Sequence, residues 1–408
     1  MHEQKGILRM KSRKLGVYIR VLAPIIVLLT ISAVLYAQTA WPAQPVVGVQ
    51  SASPTGVIGF TPAEIRHAYG FDQIPNQGEG QTIAVVTAFD DAVAEQDLAV
   101  FNLTFGLPPC TTANLCFQKV NLGAAGPIPP IWAFEAALGV EWAHAIAPKA
   151  KILLVEAVDD KLSSLLAAVD QAVARGARVV SMSWGADERS TERDLDLHFA
   201  ASNVTFIAGS GDLGHGGGVR YPAASPYVMS VGGTTLHLDS KGNYSNEKAW
   251  GSQNATQASG GGLSAFEPEP PYQIAYPIPN NPQFARGTPD VAFVGDPDTG
   301  VAVYDSVPLG SFVGWIRTGG TSVGPPPWSG LFAIANEVRQ KNGKPPLTGS
   351  LGVLYDAAKI QPASFNDIDN GKNGSCGAAC KAKPAYDYVT GLGTPNANFL
   401  IPTLASLP

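Results

Sequence analysis

Apolar runs of strand length alternate along this chain with segments of helical length, and that order constrains the fold more than any other feature. Strand patterns cover residues 81–89, 151–157, 177–184 and 204–210, and helical patterns cover 91–106, 132–146, 161–176 and 191–202. Strands joined by helices form parallel sheets with right-handed crossovers. The sequence therefore predicts an α/β fold, in which a mostly parallel, twisted sheet is flanked by helices on both faces within a single large domain.

Three polar residues follow these strands and become candidates for chemistry. Ligands of open parallel sheets bind outside the carboxyl ends of the strands. Asp90, Ser183 and Asp212 fall just past such ends. Asp212 lies in the glycine-rich stretch GSGDLGHGGG, where a turn-forming role is the alternative to a role in a cleft.

Composition and charge restrict the class of partner. The chain has 408 residues, of which 45% are hydrophobic and 15% are charged, so it can bury a large core. Its net charge is -6, and basic residues cluster only at the extreme N-terminus. Nucleic acid is therefore not expected as a partner.

The N-terminal region has the order of an export signal. Lys and Arg residues precede an apolar run at 21–36. This run is shorter than the about 20 residues that a membrane span needs. We expect a signal peptide or signal anchor over 1–40, a linker over 41–56 and the folded domain over 57–408. The folded part is expected outside the cytoplasm, with membrane contact only through an uncleaved N-terminal segment.

The four cysteines form two local pairs, Cys110 with Cys116 and Cys376 with Cys380. In an exported protein such pairs predict two short-loop disulfides. A zinc site is the alternative, but no histidine lies near either pair in the sequence.

Ser322 and two aspartates stand out in glycine-rich stretches. Ser322 follows Gly319 and Gly320 at an expected helix start, where it is either an activated nucleophile or a helix N-cap. Asp367 and Asp387 lie in loops rich in carbonyl groups and suit Ca²⁺, with turn formation as the alternative.

Glu135 lies on the helix predicted at 132–146, and its neighbours on that helix raise the question of what assists it. His144 lies nine residues further on, which places it about 180° away on the opposite face. A serine–histidine pairing on this helix is therefore not expected.

The stretches EAALGVEWAHAIAP, SMSWGADE, SGDLG, SGGGLSAF, RGTPDVAF, GGTSVGPPPWSGL, FNDIDNGKNG and YDYVTGLGTP occur in this order along the chain. Together they resemble the sedolisin family of serine-carboxyl peptidases, acid-acting relatives of subtilisin. The resemblance implies a subtilisin-like α/β fold and hydrolysis of peptide bonds. It implies Ser322 as nucleophile, Glu135 as general base and Asp212 as the carboxyl that stabilises the oxyanion, with residues 183–185 pairing with extended substrate.

The resemblance also implies a calcium site. Its ligands would be the side chains of Asp367 and Asp387 and the carbonyl oxygens of Ile368, Lys383 and Ala385. Lys383 and Ala385 stand where the family has glycine. A carbonyl ligand tolerates either residue unless its φ must be positive.

The sequence departs from the family pattern in two ways that bear on its expected peptidase activity. The family places an aspartate one helical turn after the catalytic glutamate, and this chain has Gly139 there. Glu141 cannot replace it, since six residues rotate its side chain about 240° away. The segment ahead of the domain is also too short for the family's large propeptide. The expectation is a secreted, monomeric, acid-acting endopeptidase impaired by Gly139, and the alternative is an inactive homologue that binds peptides.

Overall fold

Residues 41–54, 56–124, 126–347 and 351–408 are described by the structure, which is a computed structural model. The predicted signal segment, 1–40, lies outside the described residues. The strands are β1 (Gln44–Pro45), β2 (Gly48–Ser53), β3 (Thr82–Ala88), β4 (Phe117–Asn121), β5 (Lys151–Ala157), β6 (Val179–Met182), β7 (Trp184–Asp187), β8 (Thr205–Gly209), β9 (Arg220–Tyr221), β10 (Val228–Leu238), β11 (Tyr244–Ala249), β12 (Gly262–Pro268), β13 (Ala285–Thr288), β14 (Val291–Val294), β15 (Val301–Leu309), β16 (Phe312–Gly319), β17 (Phe365–Asn366) and β18 (Thr394–Pro395).

The α-helices surround these strands. They are α1 (Pro62–Ala68), α2 (Ala94–Phe105), α3 (Pro130–Ile146), α4 (Leu162–Ala174), α5 (Pro271–Ala275), α6 (Pro325–Lys341), α7 (Gly352–Ile360) and α8 (Ala397–Ser406). The helix expected at 191–202 is a 3₁₀ helix, Glu192–Phe199.

The central sheet has the order β11-β10-β8-β6-β3-β5-β4, and β14 also pairs with β10. Every pairing in it is parallel except that of β10 with β11. The strand expected at 177–184 divides into β6 and β7, and β7 pairs outside this sheet with β1 and β9. The prediction of a mostly parallel sheet is confirmed.

Side chains of the sheet alternate between two cores. In β3, Ile83 and Val85 pack into one core, and Ala84 and Val86 pack into the other. Helices α3 and α6 cover the first core, and α4 covers the second. This alternation follows from the two-residue period of a strand, and it confirms helices on both faces.

Helix α3 is buried almost all round, because alanines let it lie close to the sheet and to α6. Its residues from Trp132 to Ile146 are all buried. A proline at the first turn suits its N-terminus, where an amide hydrogen has no intrahelical partner. Trp142 anchors the helix by donating from Nε1 to the Ala302 carbonyl at 2.9 Å. The helix thus places Glu135 at a fixed depth inside the molecule.

The segment expected to be a linker, 41–56, contains two short strands in the part that the structure describes. Residues 44–45 form β1 against β7, and residues 48–53 form β2 against β16. Trp41 and Ala43 are buried. Pairing with strands far away in the sequence gives this proline- and serine-containing stretch the order that its own composition does not predict.

Both predicted disulfides are present, Cys110–Cys116 and Cys376–Cys380. The fold brings a histidine to each pair despite the distance in sequence: His144 lies beside the first and His215 beside the second. Oxidised cysteines offer no thiolate to a metal, so the disulfide interpretation is retained. Within the described residues, every helix is too short or too polar to cross a membrane.

Candidate active site

Ser322 lies at the junction of strand β16 and helix α6, in a short 3₁₀ turn between them. Gly320, just ahead of it, has a φ of +90°. A Cβ atom at Gly320 would collide with the Val46 carbonyl oxygen and would lie 2.6 Å from Asp212 Oδ2. Glycine is therefore required at this turn both by its backbone angle and by the close approach of these groups.

The Ser322 hydroxyl donates a hydrogen bond of 2.8 Å to Glu135 Oε1. Both side chains are buried. The N-cap position of α6 is Gly324, and no side chain caps the helix. The hydroxyl of Ser322 therefore serves Glu135 and not the helix, and its distance to the carboxylate suits proton transfer.

Burial raises the pKa of Glu135 well above its usual range. The hydrogen bond from Ser322 lowers this pKa, and the negative charge of Asp212 raises it further. The second oxygen, Oε2, accepts no hydrogen bond from the protein groups that the structure describes. Since Ser322 is the only hydrogen-bond donor to this carboxylate among the described residues, the ionised Glu135 is a stronger base than an ordinary carboxylate.

Val85 of strand β3 occupies the space beside Gly139. A Cβ atom at Gly139 would lie 2.5 Å from Val85 Cγ1. Val85 belongs to the core between β3 and α3 and is 3% exposed. In the family pattern an acid follows the catalytic glutamate by one helical turn. Here Val85, an apolar side chain from the sheet, fills that space, so Glu135 has no carboxyl partner at this position.

Asp212 follows strand β8 and faces the same turn as Ser322. Its Oδ1 accepts hydrogen bonds from the Thr321 amide at 2.8 Å and from the Thr321 hydroxyl at 2.9 Å. Burial raises the pKa of Asp212 to about 7, although the bonds from Thr321 lower it. Its Oδ2 has no partner among the described groups, so a proton on this oxygen is free to be donated to a substrate.

The chain's own residue Val46 lies against this centre. Its carbonyl oxygen accepts a hydrogen bond of 2.9 Å from the Ser322 amide, and its amide donates to the Ser183 carbonyl at 3.4 Å. The neighbouring residues Gln44 and Pro45 pair antiparallel with Gly185 and Trp184. Residues 183–185, expected to pair with an extended substrate, therefore pair with an extended segment of this chain.

Other residues expected near the site lie elsewhere. Asp90 receives a hydrogen bond of 2.6 Å from Lys119 Nζ and does not meet Ser322. Glu141 Oε2 accepts from the Tyr304 amide at 3.1 Å, on another side of α3 from Glu135. His144 is buried, and burial lowers its pKa. The positions of Glu141 and His144 along the helix predicted that their side chains would point away from Glu135, and their contacts agree with this prediction.

The expected calcium ligands lie on two segments, 367–368 and 383–387, which the amide of Ala385 joins by its hydrogen bond to Asp367. The amide of Ala385 donates to Asp367 Oδ2, and the amide of Lys383 donates to Asp387 Oδ2, each at 2.8 Å. Ala385 has a φ of +63°, so the positive angle that favours glycine is present here. Burial raises the pKa of Asp387 to about 6 and raises that of Asp367. A carboxylate on each of these two linked segments suits a divalent cation that prefers oxygen ligands.

Three contributors to the centre were not predicted from the sequence. Thr321 orients Asp212, and its position directly before the nucleophile is a signal that could have indicated it. Val85 has no such signal, since it is one apolar residue of a buried strand. Val46 was assigned to a linker, and only long-range pairing shows its place.

Comparisons with known proteins identify the family of this chain. The model of the subtilase family matches residues 131–346. Kumamolisin from Bacillus sp. (strain MN-32) is 33% identical over 371 residues, which cover 85% of this chain and 63% of that protein. Sedolisin from Pseudomonas sp. (strain 101) is 27% identical over 379 residues, which cover 85% of this chain and 62% of that protein. The chain thus spans less than two thirds of the length of these relatives.

A solved structure extends the likeness to the whole fold. Pseudomonas sedolisin, a serine-carboxyl proteinase complexed with two molecules of pseudo-iodotyrostatin, superposes with a TM-score of 0.73 at 27% identity. The match covers 85% of this chain and 98% of that one. With the matched domain covering more than half of the residues, the chain belongs to the subtilase family and, within it, to the sedolisin family.

Proposed function

We propose that this chain is an exported, acid-acting serine-type endopeptidase that hydrolyses peptide bonds through Ser322, Glu135 and Asp212. The observation that carries the proposal is the 2.8 Å hydrogen bond from the Ser322 hydroxyl to Glu135 Oε1. A buried hydroxyl in contact with a single carboxylate, beside a peptide strand and a second acid, is arranged for nucleophilic attack on a carbonyl group.

In the proposed reaction, Ser322 Oγ attacks the substrate carbonyl carbon while Glu135 takes the hydroxyl proton. Negative charge then develops on the carbonyl oxygen. The Ser322 amide and the protonated Asp212 carboxyl donate hydrogen bonds to that oxygen. Glu135 next gives its proton to the departing amine, and water releases the acyl group from Ser322 by the same steps in reverse order.

An acid medium suits Asp212, since its carboxyl must be protonated to donate. Its pKa of about 7 keeps the proton in place throughout the acid range. Glu135 must instead be ionised, and burial raises its pKa. Activity should therefore increase with pH through the acid range and decrease when Asp212 loses its proton.

The test is hydrolysis of a denatured protein at about pH 3 to 6, where carboxylates serve as bases. Ser322→Ala is expected to reduce the rate to background. Ser329→Ala is the matched control, because its buried hydroxyl bonds only to the Pro325 carbonyl within α6. Equal rates for the native chain and Ser322→Ala would reject the proposal.

The contact between Gly139 and Val85 favours a second candidate, an inactive homologue that binds peptides. Loss of an orienting acid from a triad can reduce the rate by up to roughly 10⁴-fold. This candidate predicts measurable binding of an extended peptide by the native chain and by Ser322→Ala alike, with no turnover by either. Turnover that Ser322→Ala abolishes would exclude it.

We also propose a bound Ca²⁺ and a monomeric state. The side chains of Asp367 and Asp387 and the carbonyls of Ile368, Lys383 and Ala385 would hold the ion. Its charge would compensate the exposed carboxylate of Asp367 and the buried carboxylate of Asp387, and it would fix the loop at 383–387 ahead of helix α8. The hydrolysis itself uses no group from this loop.

A further inference from the structure

Strand β7, with which substrate is expected to pair, is held by different contacts at its two ends. At its start, the Trp184 indole nitrogen donates to the Val86 carbonyl at 2.9 Å. On the edge away from β1, the strand pairs with β9, which has only two residues. Its last residue, Asp187, is followed directly by Glu188. The contacts of Glu188 therefore decide how firmly the end of the strand is held.

Glu188 joins the end of β7 to strand β12. Its Oε1 accepts a hydrogen bond from the Ser264 hydroxyl, and its Oε2 accepts one from the Ala265 amide at 3.2 Å. The oxygen of Ser264 itself accepts from the amides of Phe266 and Glu267, at 3.1 and 2.8 Å. The Ser264 hydroxyl is therefore oriented to donate, and Glu188 is the acceptor of both bonds from β12.

A second acid, Glu192, contacts Glu188 from the 3₁₀ helix at 192–199. Glu192 is buried, and the two carboxyl groups are in hydrogen-bond contact with each other. The Oε2 atom of Glu192 accepts from the Arg189 amide at 2.7 Å, and its Oε1 has no donor among the described protein groups. Two carboxyl groups stay in such contact when one proton lies between them. Since Glu188 already accepts from β12, Glu192 holds this proton and donates it to Glu188.

The surroundings keep this proton in place in acid. Burial raises the pKa of both carboxyl groups, and the negative charge of Glu188 raises the pKa of Glu192 further. Neither carboxyl has an ion-pair partner within the described part of the chain, where Arg193 lies 4.0 Å from Glu267 instead. Titratable and charged groups face the pair or its nearest neighbours from β12, β13, β9 and the 3₁₀ helix: Glu267, Arg286, Tyr221, Arg193 and Asp196. The shared proton is present in acid and is lost only as the pH rises.

The register along β7 shows which part of a bound peptide lies beside this end of the strand. Residues 44–45 pair antiparallel with Gly185 and Trp184, so each step along a paired peptide away from Ser322 is a step toward Asp187. In this register the third residue of a peptide, counted back from the carbonyl at Ser322, lies beside Gly185, and the fifth lies beside Asp187. A short peptide therefore uses only the start of β7, and a longer one also uses its end.

We propose that Glu188 and Glu192 are positioning residues, which together hold the end of β7 against β12 and so strengthen the binding of peptides that reach beyond Gly185. This inference rests on the proposed peptidase function and assigns two further residues to its substrate site. Neither carboxyl touches the reacting atoms. Both act through the end of β7, and Ser322 and Glu135 keep their own contact when the pair is broken.

The test compares two product peptides that share their last three residues, acetyl-Pro-Ala-Val and acetyl-Ala-Ala-Ala-Pro-Ala-Val. Their dissociation constants are measured in acid buffer with the full chain carrying Ser322→Ala, so that binding is measured without turnover. The readout is the ratio of the two constants, because residues 44–45 pair with β7 in the free chain and compete with both peptides alike. The longer peptide is expected to bind more tightly.

Adding Glu192→Ala to this chain removes the donor to Glu188 and should reduce the preference for the longer peptide about tenfold. Glu192→Gln should keep the preference, since its amide group donates to Glu188 without a titrating proton. Asp194→Ala is the matched control, because Asp194 is exposed on the same 3₁₀ helix. The inference is overturned if the Ser322→Ala chain shows no preference, if Glu192→Ala keeps it, or if Glu192→Gln loses it equally.

A second variant and a second measurement keep the outcomes separate. Ser264→Ala breaks the contact from the β12 side and should reduce the preference in the same direction, even if Glu192→Ala fails to fold, as its thermal transition would show. Hydrolysis of denatured protein by the native chain is measured in parallel. If that protein is cut while Glu192→Ala and Ser264→Ala keep the preference, only the inference fails. If the preference changes as expected and no protein is cut, the peptidase function fails and the positioning role is retained.

Discussion

At the catalytic centre, the contact between Gly139 and Val85 determines what Glu135 can do. Glu135 was expected to be the base only from the family resemblance, and the structure places its carboxylate 2.8 Å from the Ser322 hydroxyl. The sequence also showed that its helper was missing. It could not show what fills the space, since Val85 reaches it from a strand that lies more than forty positions earlier in the chain.

Gly139→Asp alone is expected to destabilise the protein by about 1 to 3 kcal/mol, because the new side chain overlaps Val85. It should give no increase in kcat. Gly139→Asp combined with Val85→Ala provides room for the carboxyl and should raise kcat at least about tenfold over the native chain. Val85→Ala alone is the control. The explanation is contradicted if the double variant is no faster than that control.

Asp212 sets the alkaline limit of activity in the proposed mechanism. Its folded pKa of about 7 means that the donor proton is present below that pH and is lost above it. Asp212→Asn keeps a donor at every pH, so the fall in kcat/KM near neutral pH should disappear. Asp212→Ala should reduce kcat about 100- to 1000-fold. If kcat/KM of Asp212→Asn still falls near neutral pH, the fall belongs to the titration of another group.

Among the elements, β1 and β2 show where local sequence information ends. Four strands of the central sheet, β3, β5, β6 and β8, were predicted from their own apolar runs, and their observed bounds lie within two residues of those predictions. The other four, β4, β10, β11 and β14, were not predicted. Strand β1 has two residues, and its partner β7 lies about 140 positions away in the chain. The residues of strand β2 show no clear alternation of apolar and polar side chains. Both strands are ordered by pairing with distant strands and not by the strand propensity of their own residues. From local sequence alone the segment was therefore expected to be a linker.

The loop of residues 383–387 provides a prediction at the same scale. Ca²⁺ at 100 times its dissociation constant should stabilise the native chain by about 2.7 kcal/mol, and a chelator should remove that gain. Asp387→Asn should abolish the calcium-dependent shift in Tm. Asp369→Asn is the matched control, because Asp369 is not among the expected ligands. An unchanged calcium shift in Asp387→Asn would exclude this site.

Over the whole molecule, buried acids make the fold more stable in acid. Burial raises the pKa of Glu192 to about 9, of Glu156 to about 8 and of Glu267 to about 7. Each holds a proton in the folded chain at pH values where the unfolded chain has released it. Their contribution is complete below about pH 4.3 and is lost as pH rises through these folded values.

The free energy of unfolding should therefore decrease from about pH 5 to pH 9, by up to about 1.4 kcal/mol per pH unit for each extra proton held. Denaturant unfolding across this range measures it. Glu192→Gln should flatten the upper part of the curve, and Glu79→Gln, at an exposed position, should leave it unchanged. A protein that gains stability toward pH 9 would contradict the protonation of these groups.

The indole of Trp41, enclosed between Arg189 and Tyr221, gives the molecule an optical reporter. It is one of seven tryptophans in the chain. In the folded chain this ring emits beside a cation and away from water; in the unfolded chain it emits from bulk solvent at longer wavelength. Loss of order in the segment around Trp41 therefore contributes a change in intrinsic fluorescence, with no dye attached.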